Sequence, residues 1–161
     1  MLYKQLSLLA VALLLSALVR AQSISVEGEV NTPLKLSSSD IAAMQQITVT
    51  ATDKDGKAHR YTGVPLYHIL QQAGVTLGAQ LRGANMTKYL LVKSADGYKV
   101  IFALPELDSI FTDRQILLAN QVDGQPLPAE KGPFRIVVPG EKKPARWIWG
   151  VTAMIIRSAK D

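Results

Sequence analysis

GPFRIVVPGEKKPARWIWG, residues 132 to 150, concentrates binding chemistry more strongly than any other stretch of this chain. A strand-like run, Phe134 to Val138, is followed by the Pro139-Gly140 break, by three cations (Lys142, Lys143, Arg146), and by Trp147 and Trp149, the only tryptophans in the sequence. Indole faces supply stacking area and guanidinium forks supply directional donors, so the stretch suits a flat, polar ring system.

Working outward, Met1 to Ala21 reads as a secretory signal. Lys4 precedes an apolar run from Leu6 to Val19, and Val19-Arg20-Ala21 suits cleavage after Ala21. The run is about 14 residues, short of the roughly 20 that span a bilayer as a helix. Export to the periplasm is the expectation, with residues 22–161 as one domain. Removing Lys4 and Arg20 lowers the formal charge from +5 to +3, and no Lys/Arg run argues for nucleic acid. The chain has no cysteine, so no disulfides support the fold, and thiolate catalysis, iron–sulfur clusters and cysteine-ligated metals are excluded.

Period-two alternation predicts a strand at Ile24 to Val30, and Ser38, Ser39 or Asp40 can cap a short helix through Met44. Ile47 to Thr52 and Lys57 to Thr62 predict a hairpin about the Asp53-Lys-Asp-Gly56 turn, which resembles the opening of a calcium loop but lacks its later ligands. Gly63-Val64-Pro65 opens a helix with Leu66, Ile69, Leu70 and Ala73 on one face and Gly74 as its stop. Tyr89 to Ser94 and Tyr98 to Ala103 form a second hairpin, Pro105 opens a helical turn over Glu106 to Phe111, and strands follow at Ile116 to Val122, Phe134 to Val138 and Val151 to Arg157. Many short strands with two or three short helices indicate an α+β fold of mixed sheets. His59 and His68 are the only histidines and no acidic cluster adjoins them in sequence, which argues against a histidine metal site.

No G-x-S-x-G, H-E-x-x-H, phosphate-loop or dinucleotide fingerprint is present. Three segments taken in order, GVPLYHILQQAGV (63–75), SADGYKVIFALPELD (94–108) and GPFRIVVPGEKKPARWIWGVTAMII (132–156), resemble the molybdopterin-binding domain of the sulfite-oxidase superfamily. The resemblance implies that superfamily's α+β fold, with a pterin in a cleft lined by loops at strand ends. It also carries a departure. The cysteine that ligates molybdenum in those enzymes falls near Ala51, where this chain has Thr50-Ala51-Thr52, and neither alanine nor threonine replaces a soft thiolate donor.

Short, cysteine-free members of this kind resemble periplasmic pterin-binding proteins that regulate a membrane-bound cyclic-di-GMP enzyme through its periplasmic domain. The expected function is therefore a non-catalytic sensor of a reduced pterin, requiring no other cofactor and no metal. In the matching motif Trp147 is expected to stack, with Arg146 and Arg135 donating; Asp96 or Glu106 would supply a carboxylate to the aminopyrimidine edge, and Arg60 would line the cleft beside Ala51. Trp149 is assigned to partner docking. Each residue also has a plainer reading: Trp147 as a core or rim aromatic, Arg135 as a surface partner of Glu130 or Asp123. The alternatives for the whole chain are an oxidoreductase subunit that holds molybdopterin without a cysteine ligand, and a ligand-free adaptor. No twin-arginine pair precedes the apolar run, which favours an apoprotein exported unfolded over one exported with a molybdenum cofactor.

Overall fold

The alternating sequence ISVEG forms strand β1 (Ile24–Gly28), with Ile24 and Val26 inward and Ser25 and Glu27 outward. The computed structural model describes residues 22–160, so the expected signal segment, 1–21, lies outside the described residues. β1 pairs with β2 (Leu34–Leu36) and, in parallel, with the last strand β10 (Val151–Ser158). β10 in turn pairs antiparallel with β5 (Lys88–Ser94), and β5 with β6 (Lys99–Ala103), giving a five-stranded sheet in the order β2-β1-β10-β5-β6.

The second sheet is built from the hairpin β3 (Ile47–Thr52) and β4 (Ala58–Pro65), then β7 (Leu117–Val122) and the short β8 (Gln125–Pro126), with β9 (Arg135–Val137) also on β7. One apolar core joins the inner faces of both sheets: Val26, Leu90, Phe102 and Ile156 from the first meet Tyr61, Val64, Leu118 and Ile136 from the second. The predicted α+β class with mixed sheets is the observed one.

Two helices are short. α1 (Ser38–Ala43) is capped by Ser37, one residue earlier than the sequence suggested; Asp40 returns a carboxylate to the Ser37 amide at 2.8 Å, completing a reciprocal cap. α2 (Leu66–Gln72) starts only after Pro65, because Gly63, Val64 and Pro65 are still paired to β7 as the end of β4. Its Leu66, Ile69 and Leu70 are fully buried, each contributing about 1.5–3 kcal/mol of apolar burial as an upper bound. The helical turn expected over Glu106 to Phe111 is a correction: a single 3-10 turn covers Leu104–Glu106. Asp108, fully buried, accepts from the amides of Gly78 (2.6 Å) and Ile110 (2.9 Å), and those bonds take the chain out of the helix.

Candidate ligand-binding site

Period two carries the inward row of β3 from Val49 and Ala51 to Asp53, just past the strand end. There the Asp53 carboxylate meets the guanidinium of Arg135 at the start of β9. Arg135 Nη1 donates to Oδ2 at 2.5 Å and Nη2 to Oδ1 at 3.1 Å, while the Tyr61 hydroxyl donates to Oδ2 at 2.7 Å. Arg135 is 3% exposed. Burial pushes the Asp53 carboxyl upward, but the bonds from Arg135 and Tyr61 outweigh it and hold the group well below the usual carboxylate range. Burial, and then the bond to Asp53, push the Tyr61 phenol above its ordinary range.

Aromatic rings enclose this ion pair. The Arg135 guanidinium carbon lies 4.2 Å from the Trp149 ring centre, 5.1 Å from Trp147 and 5.6 Å from Tyr61, and the Tyr61 and Trp147 rings meet edge to face at 5.6 Å. Both tryptophans come from a return segment rather than from a strand. After β9 the chain turns out, forms a 3-10 turn at Pro144–Arg146, and comes back beside β9, where the Ile136 amide donates to the Ile148 carbonyl at 2.9 Å and Arg135 faces Trp149. Two buried donors in the cluster, Arg135 Nε and Trp147 Nε1, have no hydrogen-bond acceptor. Such groups cost about 1–3 kcal/mol each, so an acceptor atom reaching them would be stabilised.

Trp149 is half-buried, and its outer side opens on a recess of about 360 Å³ lined by Lys54, Ser94, Asp96, Glu130, Lys131 and Trp149. Lys131 Nζ lies 5.2 Å from the Trp149 ring centre, so the indole sits between an inner guanidinium and an outer ammonium. The floor is backbone. Gly132 has φ +84° and a Cβ there would come within 2.9 Å of the Gly150 Cα, so only glycine lets these two segments touch. The Gly150 carbonyl accepts from the Ala95 amide at 3.0 Å, which ties the β5–β6 turn to the recess. Asp96 receives the Ser94 hydroxyl and, at 2.9 Å, the Tyr98 amide, both on Oδ1; the serine bond chiefly, then the amide, lower its pKa and keep it ionised.

The structure separates the residues expected to share a site. Asp96 lines the recess. Trp149, assigned to partner docking, is the recess wall, whereas Trp147, assigned to stacking, is 3% exposed and both its neighbours are internal. Trp147 therefore offers no open face. Arg135 backs Trp149 instead of lining the cavity, and its partner is the half-buried Asp53, not Glu130 or Asp123. Arg146 and Glu106 lie elsewhere and satisfy each other, at 3.0 and 3.1 Å, with Glu141 taking the remaining side of Arg146 at 2.8 and 2.5 Å. Burial opposes the charge on Arg146 but the two glutamates prevail, raising its pKa. Arg60 lines a separate recess of about 270 Å³ with Thr48, Thr62 and Asp123.

Sequence reasoning missed four of the recess residues, Lys54, Ser94, Glu130 and Lys131, together with the half-buried carboxylate Asp53. The signal for Asp53 was its even spacing from Ala51 on the inward row; a turn role was enough to account for it. It also missed a second cluster, in which His59 Nδ1 meets Asp123 at 2.7 Å and Nε2 meets Asp55 at 3.0 Å, because Asp123 is 64 residues away.

A molybdenum centre of the thiolate-ligated kind does not fit the residues present. Ala51 is a buried methyl at 5% exposure, the chain contains no cysteine, and among the described residues no group of three His, Asp or Glu side chains is arranged to hold a metal. Asp53, the carboxylate two residues on, is already committed to Arg135.

Over residues 16–156 the chain matches the oxidoreductase molybdopterin-binding domain family, and it belongs to that family. Among solved structures it is similar to a chain of the sulfane dehydrogenase SoxCD from Paracoccus pantotrophus, with 22% identity and a TM-score of 0.68. That match covers 89% of this chain and 41% of the other, so this chain spans less than half the length of that relative, and the likeness is one of fold. No protein of curated function matches it.

Proposed function

We propose that this chain is a non-catalytic pterin-binding module, working in the periplasm, that reports its occupancy to the periplasmic domain of a membrane-bound cyclic-di-GMP cyclase or phosphodiesterase. The observation that carries the ligand reading is the Trp149 recess: one aromatic wall, two carboxylates and two ammonium groups around about 360 Å³, one residue past the Asp53–Arg135 pair. A reduced pterin is planar, with an aminopyrimidine edge rich in donors and one ring carbonyl. Asp96 or Glu130 accepts from that edge, Lys54 or Lys131 donates to the carbonyl, and Trp149 stacks once Lys131 moves off its ring. Because Lys131 belongs to the 3-10 turn Ala129–Lys131, its displacement gives the partner a local difference between filled and empty states, which is what linkage requires.

The chemistry of the donor set argues against the second reading, a molybdopterin-dependent oxidoreductase subunit, although the family is one of oxidoreductase domains. Mass spectrometry and metal analysis of protein from a cofactor-competent host, followed by titration with tetrahydropterin, separate the readings. Pterin without molybdenum supports the sensor, and stoichiometric molybdenum restores the enzyme. Trp149→Ala should weaken tetrahydropterin binding by about 1–3 kcal/mol, the range for stacking a heterocycle on an aromatic side chain. Unchanged affinity in that variant would sink the proposed site, and no binding by the unaltered chain would leave the adaptor.

A further inference from the structure

The face of the five-stranded sheet turned away from the core plays no part in the pterin reading, and its composition is uneven. Register places Lys35, Ser25, Ala153, Lys93 and Lys99 in one row straight across the sheet. The next row on that face is Glu27, Ile155, Leu91 and Ile101, and the third holds Arg157, Tyr89 and Ala103. Ile101 is 57% exposed. Ile155 is only 6% exposed yet does not belong to the core cluster, so what shields it are the long side chains around it on this outer face.

Five cations, Lys35, Lys93, Lys99, Arg157 and Lys160, thus surround an apolar centre with two carboxylates, Glu27 and Glu29. Residues 22–161 hold sixteen Lys and Arg against thirteen Asp and Glu, an excess of three. This one face accounts for all of that excess. A groove of about 800 Å³ lies on it, lined by Ile155, by the cations Lys93, Arg157 and Lys160, and by Glu27 and Glu29.

We infer that this face seats on the surface of an anionic phospholipid bilayer. Five strands spaced about 4.8 Å apart make a broad face roughly 19 Å across, suited to a plane more than to a cleft. Lysine stems can lie along Leu91 and Ile101 while their ammonium groups reach phosphates. A second copy of the chain packed face to face would oppose like charges. Strand addition at β6 is blocked as well, because Arg146 bonds the Ile101 carbonyl at 3.2 Å and Glu106 accepts the Ala103 amide at 2.9 Å. No helix among the described residues is long and apolar enough to cross a membrane. Each cation near an anionic surface strengthens binding about fivefold.

The inference is independent of the pterin reading, and its test uses lipid alone. Residues 22–161, which contain every strand, helix and core residue described above, are sedimented with vesicles of phosphatidylglycerol and phosphatidylethanolamine, and with vesicles of phosphatidylcholine. Binding to the anionic vesicles only, lost between about 0.05 and 0.5 M salt, is expected. Lys93→Glu with Lys99→Glu should weaken it at least about tenfold. Lys57→Glu with Arg114→Glu, an equal change of charge on the other sheet's hairpin turn and the loop before β7, should alter it less than about twofold. Absence of vesicle binding overturns the inference, whether or not an acidic protein binds the same face. Equal losses in the two double variants overturn it too, since net charge alone would then explain the attraction.

Discussion

Arg135 carries a permanent charge with 3% of its surface exposed, and Asp53 is its counter-ion. Asp53→Asn leaves that charge buried and uncompensated, and should cost about 3–5 kcal/mol in a urea titration at neutral pH. Asp53 has a folded pKa below its unfolded value near 3.9, so the stability it contributes is present above that value and is lost as pH falls through the folded one. The unaltered protein should therefore lose stability more steeply than Asp53→Asn when acidified below about pH 4. The tryptophans should part company in the same assay. Trp147→Ala empties a core position and should cost about 3–5 kcal/mol, whereas Trp149→Ala, at the rim, should cost less while removing the stacking face. Trp147, at 3% exposure, thus takes the core-aromatic reading and not the stacking one.

At the level of elements, Arg146 emerges as an edge device. Its guanidinium lies 4.5 Å from the Phe102 ring centre, bonds the Ile101 carbonyl, and holds Glu106 and Glu141 together. Arg146→Ala should lower stability by about 1.5–3 kcal/mol, since it removes hydrogen bonds to charged groups and leaves two carboxylates side by side. Ultracentrifugation should also show concentration-dependent association through the freed β6 edge. The elements themselves were largely legible. The β3–β4 and β5–β6 hairpins follow from alternating side chains about Asp-x-x-Gly and Ala-Asp-Gly turns, and α2 follows from its apolar spacing. Errors arose where a distant partner overrode local preference: β7 holds Gly63 to Pro65 extended, and Gly78 reaches the carboxylate of Asp108. The site was less legible for the same reason. Sequence order drew attention to the dense 132–150 stretch, but burial sorts its members, sending Trp147 and Arg135 inward, Arg146 to a sheet edge and Trp149 to a cavity whose other walls come from three separate turns.

Across the whole molecule, His59 links the turn of the β3–β4 hairpin to the turn between β7 and β8 through Asp55 and Asp123. The bond to Asp123, then that to Asp55, raise the histidine pKa above its ordinary value. That contribution to stability is complete below the unfolded value near 6.5 and disappears as pH rises through the folded one. Urea midpoints of the unaltered protein should thus fall across that window relative to those of His59→Gln, which carries no titrating group there. The parallel pairing of β1 with β10 reaches further. Because β10 lies in the middle of its sheet, between β1 and the β5–β6 hairpin, residues 151–158 must leave the ribosome before that sheet can close. A nascent chain of this design keeps the β1–β2 pair and the β5–β6 hairpin apart until β10 emerges, and leaves their inner edges open to chaperones until then.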